Sequence, residues 1–506
     1  MFHHHLLLFF LYLNMNHCFC YKILCFLPYP GKSHYDVFAP VLDELANRGH
    51  KLTVVSFFPL QKRHPNRRDV SLVGLAPLNV EVINIDSFDY SYMGFARYLE
   101  HIPVVTKLAE SNLKLCEKLL DSDVFIEFLN AEGDYDLILV EHFNSDCMLG
   151  LIHNYDLPSI GLSSSALLPF SYHRVGAPDN PAYVPGMTLP FTDQMTFLQR
   201  VENTLILLFY NIWYEIVIRW EEQKLLERKF GRTLPPIEDV AKNTSVVLVN
   251  THHVLNGVRV FPPSIIEVGG IHLHKRIIKP LTPVLQKIVD KAKHGFILFS
   301  FGSLIKGHTL PANRLKAILT VFAGIQQIVI WKWEDNVLRD LPRNVYQMNW
   351  LPQYDLLNHP KCVGFITHAG LLSLTESIMA GVPVLAIPIL GDQFGNAAHA
   401  AQAGLAEVIA LRDINEIVFG NALKKIVSDE MQIKASRLSQ MYKDNIISPM
   451  DTAIYYIEKT ARYKGLKMSS QERWLNRFQL ASLDVLAFLT MTSAIFVASV
   501  YYLCRK

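Results

Sequence analysis

The sequence lacks a charge excess of either sign. Its 48 Lys+Arg against 46 Asp+Glu leave a formal net charge of +2 over 506 residues, which excludes the strongly basic surface of a nucleic-acid-binding protein. Charged residues make up only 19% of the chain and hydrophobic residues 50%, so a disordered chain is excluded as well. The 25 glycines and 26 prolines are too few for collagen-like or low-complexity architectures. A globular protein remains, and its length predicts two large domains with accessory segments.

Cysteine is scarce, and its spacing matches no motif. The seven cysteines form neither a Cys-x-x-Cys pair nor a zinc-ligand spacing. We therefore expect no disulfide framework and a fold that depends on its hydrophobic core. The cysteines are at positions 18, 20, 25, 116, 147, 362 and 504.

Nucleotide-cofactor and metal motifs are also missing. No predicted strand is followed by Gly-x-Gly-x-x-Gly, which argues against a dinucleotide-dependent oxidoreductase, and Gly31–His34 lacks the upstream glycine of a Walker loop. Asp121-Ser-Asp123 has the DxD spacing of some metal-dependent enzymes, but it lies in an amphipathic helical stretch, and we interpret it as chance. The sequence thus indicates no metal site and no cofactor.

Two apolar runs occupy the ends of the chain. The run at 6–13 is too short to span a bilayer, but it fits the apolar region of a signal peptide, so residues 1–20 are predicted to be a cleaved leader. The alternative is a buried first strand behind an unusual leader. Residues 483–503 are long and apolar enough for a transmembrane helix, with a cytosolic tail at 504–506; the alternative is a buried core helix. A type I topology follows, and it would place the sequon at Asn243 on the lumenal side for glycosylation.

The middle of the chain alternates short apolar runs with amphipathic stretches. This pattern predicts an α/β fold with two doubly wound parallel sheets that face a cleft. We assign residues 21–265 to a first domain, 266–285 to a linker, 286–460 to a second domain and 461–482 to a juxtamembrane segment. The apolar stretch at 205–220 is predicted to be an amphipathic helix rather than a second span, and such a helix could contact the bilayer surface.

Polar residues follow the strands of the second domain, where ligands of such sheets bind. Amides at the start of a helix after Gly370 would suit a phosphate, and His368, Ser373 and Asn396 add donors. Trp350 offers a flat face for a base and Gln353 can bond its edge. Glu376 could accept two ribose hydroxyls, and Asp392 with Gln393 could bind sugar hydroxyls. Their concentration within 350–396 is hard to explain by packing alone.

The block from WLPQYDLLNHP through FITHAGLLSLTES to GVPVLAIPILGDQFGN resembles the signature of the UDP-glycosyltransferases, the family-1 glycosyltransferases. The likeness to the membrane-anchored insect type runs from about residue 21 to the C-terminus. It implies a GT-B fold, residence in the endoplasmic reticulum membrane, and inverting transfer of a sugar, most often glucose, from a UDP-sugar to a small lipophilic acceptor. It also implies that Ser303 binds the diphosphate together with His368, Ser373 and Asn396, and that no metal is needed. Leu372 departs from the pattern, because many relatives have a polar residue there.

The same resemblance implies a general base in the first domain. His34 matches the catalytic histidine of the family, and it needs a carboxylate that orients the ring. Both Asp146 and Glu141 follow a predicted strand, and the insect-type Asp-Cys pattern favours Asp146. Three other functions remain as alternatives: a glucuronosyltransferase, a non-catalytic binder of lipophiles and a nucleotide-sugar epimerase. The acceptor cannot be read from the sequence, and a homo-oligomer is left open.

Overall fold

A computed structural model describes residues 20–88, 96–131, 133–335, 338, 340–466, 468 and 471–505. For residues 96–105, 471, 472 and 477 it describes the backbone alone. The predicted leader therefore lies outside the described residues, apart from Cys20.

The first domain is built on a parallel sheet. Its strands are short and almost entirely buried, because helices cover both faces. Seven strands pair in the order β3-β2-β1-β5-β6-β7-β8. The strands of this half are β1 Lys22–Leu27, β2 Lys51–Ser56, β3 Arg67–Ser71, β4 Ile83–Asn84, β5 Leu137–Glu141, β6 Ser159–Ser163, β7 Val246–Val249 and β8 Ile265–Glu267.

The second domain repeats the arrangement with a six-stranded parallel sheet in the order β12-β11-β9-β13-β14-β15. In both sheets the chain order reverses beside the first strand of the domain, and ligands bind at such a switch point. The strands are β9 Phe296–Ser300, β10 Ile305–Lys306, β11 Ile328–Lys332, β12 Val345–Met348, β13 Cys362–Thr367, β14 Val384–Ala386 and β15 Ala406–Val408.

Helices connect the strands and cover the sheets. In the first half they are α1 Lys32–Asn47, α2 Ala96–Asp121, α3 Asp123–Asn130, α4 Cys147–Ile152, α5 Ser171–Val175, α6 Phe197–Trp213, α7 Trp220–Phe230, α8 Ile237–Lys242 and α9 His253–Asn256. In the second half they are α10 Pro283–Asp290, α11 Ala312–Ala323, α12 Gln353–Leu357, α13 Leu371–Ala380, α14 Gln393–Ala403, α15 Glu416–Ile426, α16 Asp429–Lys443, α17 Pro449–Arg462, α18 Arg477–Leu480 and α19 Leu483–Cys504. A π-helical turn, Tyr214–Arg219, joins α6 to α7.

The packing places the domain boundaries differently from the sequence assignment. Strand β8 extends the first sheet past residue 265 into the stretch assigned as linker. Helix α17 returns to the first domain, where Met450, Ile454 and Ile457 are buried in the same cluster as β1 and α1. The return is invisible in the sequence, because an apolar helix face does not specify which sheet it covers.

A short segment of the first domain also reaches into the second. Strand β4 pairs with β10 of the other domain in a parallel two-stranded ladder. Just beyond it, Ile85 and Phe88 are buried in a core cluster that consists otherwise of second-domain residues. The two domains thus share core packing as well as a cleft.

Among the described residues, two helices are long and apolar enough to cross a membrane. Helix α19 is wholly exposed, as expected of a span outside its bilayer, whereas the continuous helix from Phe197 to Phe230 is 28% buried over its apolar window. The second of these confirms a helix at 205–220, and its inner side packs on the first domain.

One disulfide corrects the expectation from cysteine spacing. Cys116 in α2 is bonded to Cys147 at the start of α4, with a Cα–Cα distance of 6.0 Å. The pair is separated by 31 residues, so no motif announces it. It fastens α2 to the loop that follows β5, which carries part of the site below.

Candidate active site

A cleft of about 1380 Å³ separates the two domains. It lies at the carboxyl ends of the strands of both sheets, and residues of both domains line it. Ten of the predicted site residues line this cleft: His34, Ser303, Trp350, Gln353, His368, Gly370, Ser373, Glu376, Asp392 and Gln393. Asn396 lies directly behind them, hydrogen-bonded to Asp392.

His34 lies in the first turn of α1 and lines the cleft from the side of the first domain. Its Nδ1 is 2.9 Å from Oε1 of Glu141 and 2.7 Å from Oγ of Ser164. Glu141 ends β5 and Ser164 follows β6, so neighbouring strands deliver both partners to one ring nitrogen. Nε2 has no hydrogen-bond partner among the described residues, and it is the nitrogen free to take a proton from a ligand.

Aromatic rings hold the His34 imidazole in place. The ring centroid of Phe143 is 4.1 Å away and that of Tyr29 is 4.5 Å away. The same apolar character continues along the first-domain wall of the cleft, which is formed by Leu168, Phe170, Met187, Tyr210 and Trp213. The part of the cleft next to His34 therefore has an apolar wall.

Asp146 does not contact His34, and the predicted Asp146–His34 pair is wrong on this geometry. Its carboxylate accepts hydrogen bonds from both Nη atoms of Arg174, with Nη1 at 2.8 Å, and from the Tyr214 hydroxyl at 2.8 Å. Asp146 and Arg174 are each only 1% exposed. The residue lies five positions beyond the end of β5, where the chain has already turned into the domain interior. Glu141 is still at the strand end and therefore reaches His34, which lines the cleft.

The Asp146 carboxylate belongs to a buried charge cluster with a structural role. Arg219 approaches it at 3.5 Å, and both arginines also bind Glu238. Glu222 accepts a hydrogen bond from the Ser145 hydroxyl at 2.6 Å. Burial, and then the neighbouring Asp146 charge, raise the pKa of Glu222 to about 8. With Glu222 protonated, two arginines balance two carboxylates, so the cluster is electrically neutral.

The start of α13 lies at the cleft and has the geometry of an anion-binding site. Gly370 precedes the helix and has no capping side chain, so the first-turn amides are available to a ligand. His368 fits between two glycines, because a Cβ on Gly302 would lie 2.7 Å from its ring and a Cβ on Gly370 2.5 Å from it. Burial, together with the charge of Lys332, lowers the pKa of His368 to about 4. The ring is therefore neutral, and it can donate one hydrogen bond to an anion.

The predicted base and ribose residues lie together on α12, on α13 and in the loop that precedes α12. Trp350 is 65% exposed to the cleft, as a stacking platform must be. The amide of Gln353 donates to Oγ of Ser373 at 3.1 Å and to Oε2 of Glu376 at 2.7 Å. Oε1 of Glu376 accepts from Arg276 at 2.8 Å. Burial raises the pKa of Glu376, and Gln353 and Arg276 oppose that rise.

The third group lies across the cleft from His34. Asp392 accepts from the Asn396 amide at 2.9 Å, and that amide also reaches the Ala369 carbonyl at 3.3 Å. Gln393 accepts the backbone N–H groups of residues 389 and 390 through its amide oxygen, so its NH₂ is oriented by the loop. Burial raises the pKa of Asp392, an effect that the Asn396 hydrogen bond and the charge of His34 partly offset.

Three residues of the cleft escaped the sequence analysis. Lys332, at the carboxyl end of β11, is buried and paired with Glu334 at 2.9 Å, and the strand-end argument could have found it. Ser164 follows β6 and is open to the same argument. Arg276 lies in a connecting segment with no pattern. Leu372 packs its side chain on the core cluster of the first domain, which explains an apolar residue at that position.

No group of three or more His, Cys, Asp or Glu residues capable of holding a metal ion is present among the described residues. The Asp121 carboxylate of the DxD sequence instead pairs with Lys229.

Comparisons with known proteins decide the family. A family profile described as "UDP-glucoronosyl and UDP-glucosyl transferase" matches residues 24–506. The chain belongs to this family of UDP-glycosyltransferases. A relative from Dactylopius coccus, "UDP-glycosyltransferase UGT5", is 33% identical over 497 residues, which are 96% of this chain and 91% of that protein. The human "UDP-glucuronosyltransferase 2B7" is 28% identical over 518 residues, which are 98% of this chain and 95% of that protein. The resemblance read from the sequence is thereby confirmed, and the chain is a glycosyltransferase.

Solved structures confirm the GT-B fold. The calicheamicin glycosyltransferase CalG4 superimposes with a TM-score of 0.57 at 16% identity, covering 88% of this chain and 99% of that one. Arabidopsis thaliana UGT89C1, complexed with UDP-L-rhamnose, gives a TM-score of 0.56 at 13% identity and covers 87% of this chain and 99% of that one.

Proposed function

We propose that this UDP-glycosyltransferase moves glucose from UDP-glucose to a hydroxyl of a small lipophilic acceptor, with inversion, and without a metal ion or cofactor. The observation that carries the proposal is the His34–Glu141 pair, which faces the predicted donor residues across an apolar-walled cleft. His34 is the general base and Glu141 replaces Asp146 as its orienting partner.

The chemistry follows from the positions of the groups. Nε2 of His34 takes the proton of the acceptor hydroxyl as its oxygen attacks C1 of the sugar. The bond from C1 to the diphosphate oxygen breaks, and UDP leaves with the electron pair. Glu141 stabilises the imidazolium that forms on His34. The growing charge on UDP meets the first-turn amides of α13 and the N–H of neutral His368, which are donors held in place before the reaction.

Each part of the donor then has a proposed partner. Trp350 stacks on uracil, Gln353 bonds its edge, and Glu376 binds the ribose. In the described structure, Oε1 of Glu376 accepts from Arg276 and Oε2 accepts from Gln353, and each oxygen has a further lone pair that can accept a ribose hydroxyl. Ser303, His368 and Ser373 bind the diphosphate, whereas Asn396, predicted to join them, has both amide hydrogens on Asp392 and the Ala369 carbonyl and positions Asp392 instead. Asp392 and Gln393 bind hydroxyls of the sugar.

The test uses membranes that contain the full chain, opened with mild detergent and given a panel of phenols with UDP-glucose or UDP-glucuronate. Product from UDP-glucose is expected, and His34→Ala should lower its rate by about 10²- to 10⁴-fold. His153→Ala, at an exposed position of the same domain, is the matched control and should retain full activity. Both variants should bind UDP as tightly as the natural chain.

Three other results would each change a different part of the proposal. Glucuronide formation would retain the mechanism and replace the donor. UDP binding without transfer to any phenol would favour a lipophile-binding relative. Unchanged activity in His34→Ala would refute the role of His34.

We also propose that the catalytic domains lie on the lumenal side of the endoplasmic reticulum membrane, held by α19. The sequon residue Asn243 ends α8 and is exposed, so an oligosaccharide could be attached there. Endoglycosidase treatment should increase the electrophoretic mobility of the expressed chain but not that of Asn243→Gln. Equal mobility of the two chains before treatment would contradict a lumenal position.

A further inference from the structure

The continuous helix from Phe197 to Phe230 has an apolar outer face. Between residues 197 and 220 eleven side chains are exposed, and nine of them are large hydrophobic residues. An exposed helix face in a soluble domain is normally polar, so this helix reverses the usual pattern. We call the nine residues the outer stripe: Phe197, Leu198, Val201, Leu205, Leu208, Phe209, Ile212, Ile216 and Trp220.

The outer stripe is continuous, and the helix cannot rotate to bury it in the domain. Its members recur at helical spacing over 24 residues, or about 36 Å. The opposite side of the helix is fixed in the domain, because Tyr214 is fully buried and donates its hydroxyl hydrogen to Asp146 at 2.8 Å. Tyr210 and Trp213, at the edge of that side, line the cleft. The stripe therefore remains outside the domain.

Both ends of the stripe combine an aromatic ring with a cation. The Arg200 guanidinium is 5.9 Å from the Phe197 ring, and the Lys224 ammonium is 4.1 Å from the Trp220 ring. Glu215 is exposed within the span of the stripe and forms an ion pair with Arg219, whose charge also faces Asp146 and Glu238. Aromatic rings beside cations at the limits of an apolar surface match the boundary between acyl chains and phosphate headgroups.

The helix is also connected to the membrane anchor through direct contacts. Arg473, a few residues before α19, donates a hydrogen bond to the Lys242 carbonyl at the end of α8. At the other end of α8, the Ile237 N–H donates to Gln223 of α7 at 2.9 Å. The stripe thus belongs to the same packed unit as the segment that leads into α19. From this continuity and the charge pattern, we propose that the outer stripe lies in the interfacial layer of the bilayer that contains α19.

The test is fluorescence quenching of the full chain in phosphatidylcholine nanodiscs with or without brominated acyl chains. Brominated lipid should quench the Trp220 emission, obtained as the difference between the natural chain and Trp220→Phe. This subtraction removes the contribution of Trp474, which lies close to the anchor. On the Trp220→Phe background, Leu208→Trp should restore the quenched component.

As a matched control, Lys316→Trp places a tryptophan at an exposed polar site of the second domain. This variant should show additional emission that brominated lipid does not quench. UDP binding by every variant verifies the fold. Equal emission of Trp220 in both lipids would overturn the proposal. Emission that depends on chain concentration but not on brominated lipid would also overturn it, because it would identify a second copy as the partner of the stripe.

Discussion

Because His34 pairs with Glu141 and not with Asp146, we expect substitutions of these two carboxylates to have different effects on activity and stability. Glu141→Gln keeps a hydrogen bond to Nδ1 but removes the charge that stabilises the imidazolium. A hydrogen bond to a charged group contributes about 1.5–3 kcal/mol, and about 1.4 kcal/mol corresponds to a factor of ten in rate. We therefore expect kcat to fall by roughly 10- to 150-fold. The Michaelis constant for UDP-glucose should stay unchanged, because Glu141 acts through His34, which is proposed to contact the acceptor hydroxyl.

Asp146→Asn should have the opposite profile. It leaves Arg174 buried with one carboxylate partner fewer, and the loss of one member of a buried ion pair costs about 3–5 kcal/mol of folding free energy. The lower end applies, because Arg174 still binds Glu238 at 2.8 Å. The unfolding temperature should drop, while kcat per folded molecule should change little.

The assay measures product formation at saturating substrates, normalised to UDP-binding sites, together with thermal unfolding of each variant. The reasoning fails if Asp146→Asn lowers kcat per binding site as much as Glu141→Gln does and leaves the unfolding temperature unchanged. That result would restore Asp146 as the partner of His34 and would require a rearrangement of the charge cluster during catalysis.

Three further predictions concern the packing around the site. A Cβ at Gly370 would displace the His368 ring, so Gly370→Ala should weaken UDP binding by roughly tenfold, whereas Gly420→Ala, whose Cβ meets only ordinary contacts, should leave UDP titrations unchanged. The pKa of Glu222 rises from an ordinary 4.5 to about 8 on folding, so the unfolded chain loses this proton at a lower pH than the folded chain, and the folding stability should decline as pH rises from 4.5 to 8. Thermal unfolding at several pH values should show a smaller decline for Glu222→Gln. An equal decline would refute the protonated state. Cys116→Ser opens a disulfide with a separation of 31 residues and should cost about 3–4 kcal/mol, seen as a lower unfolding temperature that a reductant does not lower further; an unchanged temperature would contradict this.

The sequence predicted most where the relevant information is local. A buried strand and the residue directly after it are adjacent in the chain, so the strand-end rule located His368, Gly370 and Asp392. Those residues do lie in the cleft, although their roles toward UDP-sugar stay predictions. The same local reasoning placed both helices that can reach a bilayer.

Local reasoning failed where a contact joins distant segments. Asp146 and Glu141 are five residues apart, and the sequence pattern favoured Asp146, yet the Glu141 carboxylate contacts His34 and the Asp146 carboxylate contacts Arg174 in the domain interior. Arg276 reaches Glu376 across 100 positions, and no spacing rule relates the two.

The sequence by itself determined the family, the two-domain α/β architecture and which second-domain residues line the cleft, because each is encoded in contiguous runs whose periodicity and strand-end chemistry can be read directly. Only the tertiary structure decided which carboxylate orients His34, which cysteines pair, which domain α17 covers and which face of the helix from Phe197 remains outside. These depend on how separate elements pack. The type of a side chain, apolar or charged, indicates that it needs a packing or ion-pair partner, whereas the fold determines which residue is that partner.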